Sequence, residues 1–140
     1  MTTKNDSKAV NNPTTQALCE AWDHISAAIA VLKFARYGVG GLPPPACDAV
    51  ALLLERANST CSDLESKRPH LEVLGNPEFV HRITGAIDLA KFGSGNDLGD
   101  DNLNSGLPLS CVWLAETALI QCEDYLQTAL RVEQQEVAHA

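Results

Sequence analysis

Aromatic side chains make up only 5% of this 140-residue chain, so any core must be built from Leu, Ala, Val, Ile and Cys. Strands of a β-sandwich draw on aromatic and β-branched residues, and an Ala-rich, aromatic-poor composition turns the expectation toward closely packed helices. Basic residues are scarce too. Ten Lys and Arg stand against 18 Asp and Glu, a formal charge of −8. Affinity for a phosphate backbone comes from Lys and Arg, so no nucleic acid is expected as a partner, and no membrane surface on the same ground. No run approaches the ~18 uninterrupted apolar residues of a membrane span. The start, MTTKNDSKAVNNPTT, has no apolar stretch that could act as a signal peptide. The expected location is cytoplasmic, in a soluble and reduced protein.

The five cysteines include no Cys-x-x-Cys pair, which removes the signature of a zinc ribbon or a redox centre, and no disulfide framework is suggested. Their spacing fits helix faces instead. Cys47 and Cys61 lie two heptads apart, Cys111 and Cys122 three turns apart, and Cys19 falls in the first helical segment. Free Cys behaves as a small buried hydrophobe.

What the chain does have is one dominant stretch, Leu107 to Val137, which reads as a single amphipathic helix ~45 Å long at 1.5 Å per residue. Cys111, Ala115, Ala118, Cys122, Tyr125, Ala129 and Val132 recur at spacings of four and three, the pattern of one buried face. Pro108 suits its first turn. Three shorter helices precede it. The first runs from a cap at Thr14 or Thr15 to about Tyr37, with Leu18, Trp22, Ile25, Ile29 and Leu32 on its main face. The second runs from about Pro45 to Lys67 on a Cys47, Val50, Leu54, Ala57, Cys61, Leu64 seam. Asn76-Pro77-Glu78 opens the third, which Gly93 ends. Leu71, Val73 and Leu74 in the 69–75 link should tuck against the bundle. The predicted fold is all-α, a mostly antiparallel four-helix bundle with a long C-terminal helix. Residues 1–15 form a flexible tail, 16–140 the single domain, and the final helix packs on the first and second.

Chemistry-bearing patterns are weak. Glu78/His81 and Glu136/His139 match the Glu-x-x-His of di-iron bundles, but Glu78 and His81 fall opposite Phe79, Ile83, Ala86 and Ala90, whereas such ligands point inward. Asp100, Asn102 and Asn104 alternate like calcium ligands, yet Ser105 and Cys111 stand where a glycine and a glutamate are needed. Gly38-Val39-Gly40-Gly41 follows a helix rather than a strand, and the Asn58-Ser59-Thr60 sequon lies within a helix. No metal, cofactor or catalytic residue is assigned.

One feature resists a bland explanation. Leu109, Trp113 and Ile120 lie within roughly 40° of one another on the side of the long helix away from its Cys111/Ala115/Cys122 stripe. Either the preceding loop or the 69–75 segment covers them, or they form a protein contact, for which Trp is a favoured anchor. Phe34, on a first helix that is apolar nearly all round in its second half, points the same way. The expected function is a small acidic interaction module, binding itself as a homodimer or another protein as an adaptor or chaperone-like partner. The rival is a ligand-binding or enzymatic bundle with a pocket near Cys19, Trp22 and His24.

Overall fold

A computed structural model of the chain describes residues 12–38, 41–95 and 106–139. It is all-α, a mostly antiparallel four-helix bundle: α1 spans Pro13–Gly38, α2 Pro44–Lys67, α3 Pro77–Ser94 and α4 Leu109–His139. Two short strands, β1 at Gly41–Leu42 and β2 at Leu107–Pro108, pair antiparallel with Leu42 opposite Leu107. This ribbon ties the start of α2 to the start of α4 at one pole. At the other pole a 3₁₀ segment, Pro69–Gly75, links α2 to α3 and seats Leu71 and Leu74 in the core, as expected from their place in the sequence.

Helix starts follow proline and cap chemistry. Pro13, Pro44 and Pro77 each open a helix, where a missing N–H is not needed. Asn12 accepts from the N–H groups of Thr14 at 2.7 Å and Thr15 at 3.3 Å, and Asn76 accepts from Glu78 N–H at 2.8 Å. Thr14 and Thr15 are therefore not the cap of α1; both are buried inside its first turn. The first helix starts at Pro13, inside the stretch expected as tail, and residues 1–11 lie outside the described residues. Pro108 belongs to β2, so α4 starts at Leu109 and runs two residues past Val137.

Each helix packs on two others: α1 on α2 and α4, α3 on α2 and α4. The final helix thus has the first and third as neighbours, not the first and second, and α2 stands diagonal to it. The packing follows chain order: consecutive helices lie side by side and the ring closes between α1 and α4. Its buried face is Val112, Ala115, Glu116, Leu119, Cys122, Leu126, Ala129 and Glu133. Relative to the expected stripe the helix is turned by about 70°, roughly two thirds of a residue step. Cys111, Ala118, Tyr125 and Val132 are left half-buried at the edges. The larger Leu119 and Leu126 take the centre, and two carboxylates come in with them.

Small residues set the spacing at the ribbon pole. Gly93 does not end α3, which continues to Ser94 and is capped by Gly95 at φ 78°. It is instead a point of close approach: a Cβ there would stand 2.5 Å from Cys47 Sγ and 3.0 Å from Leu107 Cβ. Gly85, in the same helix, has nothing within 4 Å of such a Cβ. One substitution should therefore act in opposite directions. Gly93→Ala is expected to destabilise by about 1–3 kcal/mol through overpacking, and Gly85→Ala to stabilise by about 0.5–1 kcal/mol through helix propensity. Urea denaturation of the two variants beside the wild type checks both signs.

Candidate interaction surface

α4 places the three aligned residues where the wheel arithmetic expects them. Leu109 is 41% exposed, Trp113 56% and Ile120 42%, while Val112 and Leu119 a quarter turn away and Cys122 on the opposite side are fully buried. Leu114, 59% exposed, widens the stripe. Between Leu109 and Gln121 the exposed positions are Leu109, Ser110, Trp113, Leu114, Thr117, Ile120 and Gln121, and none carries charge. The one ionisable carboxylate in that stretch is Glu116, which is 2% exposed.

Glu116 decides how the stripe is turned. At 100° per residue it lies within 60° of Leu109, Trp113 and Ile120, yet it points into the seam with α1, where Arg36 Nε stands 3.4 Å from its Oε1. The contact is a charge pairing rather than an aligned hydrogen bond. Two turns further along α4 the seam closes again where Ser26 Oγ donates to Glu123 Oε2 at 2.9 Å. These two contacts run α1 and α4 antiparallel and place Ile120 level with Ala30, just outside the seam. The 3₁₀ segment offered one way to cover the stripe. It sits at the far pole instead, where His70 Nε2 meets the buried Glu133 Oε1 at 2.7 Å. The other candidate cover, residues 96–105, lies outside the described residues, as do Asp100, Asn102, Asn104 and Ser105 of the calcium-like pattern.

Phe34 is 74% exposed but belongs to a different place. It faces away from α4 and borders an apolar groove of about 390 Å³ between α1 and α2, with Val31, Leu42, Pro43 and Ala46. The four expected interface residues thus form one stripe of three and a separate fourth. Sequence periodicity could not show this, because it places residues around one helix and not between two.

Other candidates resolve into structure. Glu78 does not turn inward: Arg82 Nη1 donates to it at 3.1 Å and Tyr125 Oη at 3.0 Å, and these partners hold its carboxyl below the usual range. Tyr125 also packs its ring on Phe79, centroids 5.5 Å apart, so the α3–α4 seam accounts for it. Among the described residues no three His, Cys, Asp or Glu side chains gather as a metal would need. Cys19 is exposed, while Trp22 and His24 are half-buried and lie about 200° apart around α1. A larger polar groove of about 750 Å³ between α2 and α3 holds Glu55 and Asp63, but Lys91 and Lys67 pair with them at 2.9 and 3.3 Å. The chain matches no protein-family model, no curated protein and no solved structure.

Burial raises the thiol pKa of Cys61 and Cys122 from 9.0 to about 12, and that of Cys47 to about 11. The folded state therefore favours the protonated thiols: their contribution to stability is complete below pH 9 and is lost as pH rises toward 11 and 12. At pH 8 a thiol reagent should modify Cys19 at once and Cys61 and Cys122 only as the protein unfolds, which mass spectrometry of timed samples reads directly.

The two faces of α4 can be compared with one side chain. Trp113→Lys and Ile120→Lys should leave helical circular dichroism and the melting temperature within a few degrees of wild type. Cys122→Lys buries an unpaired ammonium and should cost several kcal/mol, on the scale of about 2–7 for an unpaired buried polar group. Equal losses at Trp113 and Cys122 would mean that the stripe is covered by the chain's own fold.

Proposed function

We propose that this chain is a helical protein–protein interaction module, and that the outer face of α4 from Leu109 to Gln121 is its docking surface. The observation that carries the reading is the alignment of Leu109, Trp113 and Ile120, each at least 41% exposed, on an uncharged face of an otherwise acidic protein. Scattered exposed apolar residues are ordinary, whereas a contiguous apolar strip marks a contact. Trp113 supplies the anchor that such contacts centre on. The face suits the apolar side of another helix, since helices pack by laying ridges of side chains into the facing grooves.

Sedimentation of the purified chain across the micromolar range, beside calorimetric titration with an amphipathic helical peptide of Leu, Trp, Ser and Gln, tests this. The expected result is engagement of one kind or the other: a mass above the 15.0 kDa monomer, or heat of peptide binding. Either signal should vanish in Trp113→Lys and Ile120→Lys while the melts survive. A chain that stays monomeric and binds no such helix overturns the reading.

A further inference from the structure

We draw no further inference here: the strongest candidate, the polar groove between α2 and α3 bordered by Glu55, Asp63, Glu65 and Asp88, is an acidic cluster in which Lys91 and Lys67 already pair with Glu55 and Asp63, and no second feature among the described residues says what it would hold.

Discussion

Two carboxylates on the inward side of α4 hold the arrangement in place. Glu116 and Glu133 are both buried, and each is met by a group from a different element, Arg36 of α1 and His70 of the 3₁₀ segment. They are 17 residues apart, roughly 25 Å along the helix, so the long helix is pinned near both of its ends. A buried carboxylate without its partner costs about 3–5 kcal/mol, far more than a mismatched methyl group. These partners and the apolar residues beside them share one face of α4, so both fix its rotation about its axis. With Glu116 turned into the α1 seam, Trp113 and Ile120 are left on the rim.

The packing around that helix relies on small side chains where an aromatic-rich protein would use rings. Gly93 lets α3 come within reach of Cys47 and of Leu107 on the ribbon. The ribbon then fixes where α4 begins, because Leu107 is paired to Leu42 immediately before the helix starts. At the other pole Leu71 and Leu74 fill the gap between α2 and α4 that a diagonal pair leaves. The Cys61 and Cys122 thiols lie within this same core, and the desolvation that raises their pKa is a direct consequence of the packing. What is left on the outer first half of α4 is a neutral strip with Leu109, Trp113, Leu114 and Ile120 exposed.

Read against the sequence, the helix count, the capping of α3 by Asn76 and the burial of Leu71 and Leu74 were all legible, since hydrophobic period and cap chemistry are local. The outward direction of Leu109, Trp113 and Ile120 was legible for the same reason. Starts and stops were less so. Thr14 and Thr15 look like caps by residue type, but Asn12 followed by Pro13 is the stronger helix start and is the one the chain uses. Gly93 reads as a stop because glycine commonly follows a helix, and only the close approach of Cys47 shows that its role is packing.

What the sequence by itself determined is the set of helices and the apolar side of each, because those depend on periodicity within about twenty residues. Which helices become neighbours, the turn of α4 about its axis and the separation of Phe34 from Trp113 were decided by the tertiary structure alone. The physical reason is that they depend on pairs distant in the chain: Arg36 with Glu116, His70 with Glu133, Leu42 with Leu107. A carboxylate in a helical pattern reads as solvent-facing until its partner is known. Glu116 and Glu133 had partners 80 and 63 residues away, and no local pattern carries that information.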